Sequence, residues 1–319
     1  LRNHAGERET FYLDEAGQCN EAELYLATTF PTVLRIVVVG DPKQLPPTTI
    51  DRRCKQAGFG KSWMERIHCL YPSKVHLLDT QYRMHPQILK FPNQEFYGNR
   101  IKSGECVRSR LPEISRPVGF VDTSNRSCEE RENFSTKNVQ EASLIRALLR
   151  QDNDIQTLLR ELPESKVVVI TPYAAQEKLL KSELKKVKGL RNWSVSTVDS
   201  YQGQEADIVI ISTVRTERIG FVDDLQRLNV ALTRAKRLVR IVGNKKLFDK
   251  LGRFSTLKKL VSYLCHQKYT IDVNVKNISF PDWRKPSLWR PTITQRFHNS
   301  LKLMVYKKQA VTMTTLQAV

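Results

Sequence analysis

The sequence predicts an α/β protein in which parallel strands are flanked by helices, and three observations carry that reading. Short β-branched runs alternate with helix-forming stretches, the first two strands both end in acids, and the alternation recurs in the second half of the 319-residue chain. The first run is Thr10-Phe11-Tyr12-Leu13, stopping at Asp14-Glu15; the second is Leu34 to Val39, stopping at Gly40-Asp41. Between them, Asn20 to Thr28 carries Ala22, Leu26 and strong helix formers, giving a β-α-β unit with about the length a right-handed crossover needs. Ligands of such sheets sit beyond the carboxyl ends of the strands, where Asp14, Glu15 and Asp41 fall.

Ser62 to Cys69 reads as a helix, and the second half then repeats the alternation. Lys166 to Thr171 has the composition of a buried strand, followed by a helix from Ala174 to Val187 with a lysine-rich outer face. Val195 to Val198, Ile208 to Ile211 and Leu238 to Val242 are three more strands. A helix from Asp224 to Lys236 puts Leu225, Leu228, Leu232 and Ala235 on one face. Gly104 to Glu132 reads as a surface excursion or short linker, with only Val118 to Val121 resembling a strand. A basic helix is expected over Thr256 to His266, and beyond Asn274 the periodicity fails.

Composition narrows the partner. Lys and Arg total 52 against 33 Asp and Glu, a formal charge of +19, which favours a polyanion, nucleic acid first, over an ordinary solvated surface. Residues 251–319 alone carry 12 basic and 2 acidic side chains. At 40% hydrophobic the chain is too apolar for disorder, and no apolar run reaches the ~18 residues of a membrane span. The six cysteines form no C-x-x-C pair, which points to reduced intracellular thiols and no zinc site; nucleus and cytoplasm are not distinguished. The start at Leu1, with neither Met nor a signal core, is expected of a piece of a longer protein.

Two adjacent acids at a strand end suit nucleotide hydrolysis: one carboxylate can hold a Mg²⁺-bound water and the other can orient the attacking water. Gly40 to Thr48, GDPKQLPPT, adds Gln44, able to bond both a phosphate oxygen and water, on a proline-stiffened loop. Asp14 to Gln18 and Gly40 to Thr48 resemble motifs II and III of the superfamily 1 helicases, in the branch of the nonsense-mediated-decay (up-frameshift) RNA helicase and senataxin. Gln81 to Pro86, QYRMHP, resembles a signature of that branch, and Thr171-Pro172-Tyr173 with Gln176 its T-P-Y-x-x-Q. Ser196 to Glu205 resembles motif V, and Arg227 to Lys236 motif VI. The resemblance spans roughly residues 8 to 245.

The resemblance implies a RecA-like P-loop NTPase motor using ATP and Mg²⁺, with an incomplete first RecA-like domain over 1–80 and a complete second over 81–250. Residues 251–319 would be a basic extension or the start of a further domain. It implies that Asp14 holds Mg²⁺ through water, Glu15 is the general base, Gln44 senses the γ-phosphate and Tyr82 stacks on adenine. Arg83 and Arg234 would reach the γ-phosphate as fingers from the second domain, with Gly203 and Glu205 near ribose and phosphates. Pro47, Thr48, Thr171, Tyr173, Ser196, Thr197 and Asp199 would meet a single strand, RNA favoured over DNA, largely without sequence preference. His85 lacks ligand partners at metal spacing and reads as structural.

The family's P-loop, G-x-x-x-x-G-K-[ST], belongs upstream of motif II and is expected to lie outside this chain, leaving it inactive alone. Gly58 to Ser62, GFGKS, imitates the loop, but Lys55 stands at its first glycine position and no strand precedes it. Gln204 and Tyr201 stand where many relatives carry Arg and Phe. In the tail, Phe280, Trp283, Trp289 and Phe297 alternate with Arg284, Lys285, Arg290 and Arg296, a mixture suited either to a strand of nucleic acid or to the core of another domain. A basic nucleic-acid-binding module without a motor is the alternative; Glu15, Gln44, Arg83 and Arg234 would then have no purpose.

Overall fold

The computed structural model describes residues 9–31, 33–108, 114–124, 128–219 and 224–273. The aromatic and basic residues of the tail lie outside them. The dominant feature is a five-stranded parallel sheet made of β3 (Val118–Asp122), β4 (Val167–Thr171), β5 (Trp193–Thr197), β6 (Ala206–Ser212) and β7 (Ala235–Gly243). Its order is β3-β7-β6-β4-β5. Val167 to Ile170 are wholly buried, as expected of parallel strands covered on both faces.

Side chains alternate between two layers because a strand repeats every two residues. Val168, Ile170, Val209, Ile211, Val239 and Ile241 face one side, with α3 (Pro86–Phe96), α7 (Leu225–Leu232) and α8 (Thr256–His266). Val167, Val169, Ile208, Ile210 and Leu238 face the other, with α4 (Val139–Gln151), α5 (Asn153–Glu161) and α6 (Ala174–Leu184). Each fully buried Val, Ile or Leu contributes on the order of 1.5–3 kcal/mol, so the two layers dominate stability. Helix starts are set locally: Asn138 accepts from the Glu141 amide at 2.9 Å, and Asp152 from the Ile155 amide at 3.1 Å.

A second, two-stranded parallel sheet joins β1 (Glu9–Leu13) and β2 (Val33–Val38), with α1 (Glu21–Thr28) between them. Next, α2 (Trp63–Leu70) starts at Ser62, whose side chain accepts from the Glu65 amide at 3.1 Å. Ser62 is thus a helix cap, which disposes of the phosphate-loop imitation at Gly58 to Ser62.

Several expectations change. Gly104 to Glu132 is not a surface excursion throughout: Val118–Asp122 is the buried edge strand of the main sheet, and Glu130–Glu132 pairs with Ser135–Lys137 as a hairpin. Five residues between Pro117 and Thr123 carry too little pattern to announce a core strand. The helix expected to run to Lys236 stops at Leu232, and Ala235 opens β7. Helices α3, α4 and α5 carried no expectation; Pro92 inside α3 and the buried Gln140, Glu141 and Ser143 of α4 disguise them. Thr256–His266 is helical as expected, with Leu257, Leu260, Val261 and Leu264 buried in the same core as the sheet.

Candidate active site

Asp14 and Glu15 stand on the turn leaving β1. Asp14 Oδ1 accepts from the Glu15 amide at 2.8 Å, and Glu15 sits at φ 50°, a left-handed conformation that non-glycine residues enter at a cost. This turn is pressed against the one leaving β2. A Cβ on Gly17 would lie 2.8 Å from the Asp41 carbonyl oxygen, and one on Gly40 would lie 2.8 Å from the Ala16 amide nitrogen. Only glycine lets the two backbones approach so closely. Both carboxylates are exposed.

Groups from the five-stranded sheet meet these turns. Arg234, just after α7, is 2% exposed and donates through Nη2 to Gln44 Oε1 at 3.1 Å. Burial, then the like charge of Arg83, lowers its pKa to about 10, opposed by Glu15, Tyr97 and Asp41. Gln202 donates to Glu15 Oε2 at 3.3 Å from between β5 and β6. Arg83 Nε donates to Glu205 Oε2 at 2.9 Å and its Nη1 to the Thr233 carbonyl at 3.2 Å. Lys236 Nζ lies 2.5 Å from Glu205 Oε1. The Lys236 hydrogen bond, opposed by burial and joined by that of Arg83, holds the Glu205 carboxyl below its ordinary range.

The structure therefore brings Gln44 to Arg234 and Arg83 to Glu205, while Gly203, at φ 78°, makes the turn that delivers Gln202 and Glu205. Tyr82 is 61% exposed, its ring filling the space where a Gly104 Cβ would come within 2.5 Å. His85 caps α3, accepting from the Gln87 amide at Nδ1. Among the described residues no group of three or more His, Cys, Asp and Glu could gather round a metal. A Mg²⁺ held through water needs only one or two carboxylates plus substrate oxygens, and the exposed Asp14 carboxylate fits that manner of binding.

The expected strand-contacting residues divide. Thr171 and Thr197 are register partners at the carboxyl ends of β4 and β5, with Ser196 beside them. Thr171 is fully buried, however, and Tyr173 is 7% exposed, with the Arg215 guanidinium 5.8 Å from its ring centre. Stacking of a base on Tyr173 requires Arg215 to move from that face. Asp199 pairs with Arg227 at 3.1 Å; Pro47 is buried and Thr48 exposed. Sequence reasoning assigned no role to Gln202, Lys236, Asn229, Arg215 or Tyr97. The first three lie within segments that resemble helicase motifs, which was the available signal.

An AAA domain model matches residues 59–246, well over half of the chain, and a second AAA domain model matches residues 1–52. The chain belongs to the AAA-domain helicases of superfamily 1. Within that family it falls in the branch of senataxin and the up-frameshift proteins, and its main sheet is RecA-like. It is 32% identical over 259 residues to an uncharacterized ATP-dependent helicase of Methanocaldococcus jannaschii, covering 76% of this chain and 36% of that protein. Helicase sen1 of Schizosaccharomyces pombe is 32% identical over 245 residues, 74% of this chain and 14% of its own. The Regulator of nonsense transcripts 1 homolog of Drosophila melanogaster is 30% identical over 294 residues, 86% and 24%. This helicase chain thus spans about a third or less of these relatives. Among solved structures, the PRRSV helicase aligns with a TM-score of 0.41 at 18% identity, covering 76% of this chain and 36% of that one. No helix among the described residues is long and apolar enough to cross a membrane.

Proposed function

We propose that this chain is the motor segment of an ATP-dependent helicase or translocase that moves on single-stranded nucleic acid, RNA favoured over DNA. The observation that carries the reading is the pair of contacts across the two sheets, Arg234 to Gln44 and Gln202 to Glu15. A water-activating carboxylate and a guanidinium finger meet only where the sheets meet, so hydrolysis is tied to their closure.

In this reading Glu15 draws the proton from the attacking water while Gln202 steadies its carboxylate. Arg234 and Arg83 supply positive charge to the equatorial oxygens of the transferring phosphoryl group, with forked donors that match them. Tyr82 offers its exposed ring to the adenine, and Glu205 holds Arg83 at the rim until nucleotide is present. Mg²⁺, held by Asp14 through water, supplies neutralising charge at the phosphates when bound. Thr48, Ser196, Thr197 and Asp199 form the open part of the track, Tyr173 joins it only when Arg215 leaves its ring, and the buried Thr171 supports it from beneath.

The test is ATP hydrolysis by the intact protein with and without single strands. Glu15→Gln is expected to lower kcat at least about 100-fold, the usual worth of a general base, with ATP binding retained. Wild-type and variant hydrolysing equally would refute the reading. Salt-sensitive strand binding with no hydrolysis by either would support the binding module without a motor. Stimulation by single-stranded RNA, compared with DNA of the same sequence, decides the preferred strand.

A further inference from the structure

Tyr97, which closes α3, lies in none of the motifs, yet its hydroxyl sits at a junction. It donates to Asp41 Oδ2 at 2.6 Å and accepts from Asn229 Nδ2 at 2.8 Å. The same Asp41 oxygen accepts from Gln44 Nε2 at 3.1 Å, and Gln44 Oε1 takes the hydrogen bond of Arg234. A side-chain amide has one donating and one accepting end. A carboxylate at the first and a guanidinium at the second leave Gln44 a single orientation.

The loop is held along its backbone as well. Asn229 Nδ2 also donates to the Lys43 carbonyl at 3.0 Å, and Gln226 Nε2, from the same α7, to the Pro42 carbonyl at 3.2 Å. Helices α3 and α7 pack on the five-stranded sheet, whereas the loop from Asp41 to Gln44 leaves the two-stranded one. Asn229 is fully buried, and burial together with the Asp41 carboxylate pushes the Tyr97 hydroxyl well above its ordinary pKa, so it remains a donor.

We propose that Tyr97 is a positioning residue for ATP hydrolysis: through Asp41 it fixes the direction of the Gln44 amide whenever the two sheets are seated together. The proposal rests on the ATPase reading above and adds the device by which seating reaches the hydrolytic centre. Without the hydroxyl, Asp41 loses its donor from α3 and Gln44 loses its fixed partner, while Asp14 and Tyr82 keep theirs. The loss therefore belongs to turnover and not to nucleotide binding.

In the intact protein, Tyr97→Phe is expected to lower strand-stimulated kcat about tenfold, the worth of one charge-assisted hydrogen bond, with KM for ATP within about twofold. Asn229→Ala should do the same, and the double variant should be no slower than the slower single, because both act on one relay. Hydrogen exchange over residues 41–44 of the nucleotide-free protein should quicken in Tyr97→Phe. Unchanged kcat, a rise in KM in place of a fall in kcat, or multiplying losses in the double variant would overturn the proposal. If wild-type and Glu15→Gln proteins were equally inert, the ATPase reading would fail instead. Exchange over 41–44 then decides the Tyr97 contact alone, and unaltered exchange overturns it.

Discussion

Arg234 is a charge kept where water hardly reaches, and its surroundings explain how. Its Nε donates to the Val230 carbonyl at 3.2 Å and its Nη2 to Thr233 Oγ1 at 3.3 Å as well as to Gln44. With a pKa lowered to about 10 it is still protonated at neutral pH, so the guanidinium proposed as a finger is held charged and already desolvated. A lysine at this position would begin nearer 10.4, suffer the same burial, and lack the fork. Arg234→Lys is therefore expected to lower single-turnover ATP hydrolysis by about 10³-fold, with a steeper loss as pH rises from 7 to 9. A variant within threefold of wild-type would remove Arg234 from the chemistry. The motif segments were legible because their residues resemble, in order, the motifs of a known family. Tyr97, Asn229 and Gln202 were not, since their contacts join positions 56, 132 and 187 apart and leave no local pattern.

Among the elements, α4 carries an acid in the core. Glu141 is fully buried, accepts from Ser212 Oγ at 2.6 Å and from the Val214 amide at 2.9 Å, and so ties α4 to the end of β6. Val214 sits at φ 69°, a conformation costly for a β-branched residue, and Asn138 Nδ2 grips its carbonyl at 2.9 Å. Gln176, 0% exposed, joins them through Ser212 Oγ at 3.1 Å, so this residue of the T-P-Y-x-x-Q segment lies in the core. Burial raises the Glu141 pKa to about 7, against the bonds from Ser212 and Val214. An acid whose folded pKa lies above its unfolded value costs stability as pH climbs from about 4.5 to 7, and the cost is complete above that. The shift corresponds to about 3 kcal/mol at roughly 1.4 kcal/mol per unit. Urea unfolding of Glu141→Gln should show a gain of about 1–2 kcal/mol at pH 8 that vanishes near pH 5, since the amide also leaves a buried donor to satisfy. A destabilised variant at pH 8 would mean that the carboxylate's charge is itself required. The same buried polarity hid α4 from its sequence, just as Arg240 in mid-strand, wholly buried and paired with Asp152 at 2.6 Å, thins the apolar signal of β7.

Across the whole molecule, charge and core divide at different places. The core runs through α8 to Val273, 7% exposed and packed on the α4 side of the sheet. Truncation after Val273 therefore spares every buried residue described, yet removes 8 basic and 1 acidic side chains. If the tail touches phosphates, its removal should flatten the salt dependence of single-strand binding by about 0.7 in log–log slope for each phosphate it had neutralised. An unchanged slope would leave binding to the rest of the chain. Four strands of the large sheet were legible as β-branched runs, continuous where both faces are buried, whereas β3 and the helices α3, α4 and α5 were not. The small sheet was harder to weigh: Tyr12, Leu34 and Val37 are exposed on it, so its strands show apolar residues without a matching layer among the described residues. What stiffens it is the near-contact of Gly17 with Asp41 and of Gly40 with Ala16. Two turns locked backbone to backbone behave as one beam with two handles, Glu15 held by Gln202 and Gln44 held by Arg234. In the proposed motor, parting of the sheets would therefore break both contacts together, and a displacement felt at Glu15 would be felt at Gln44 as well.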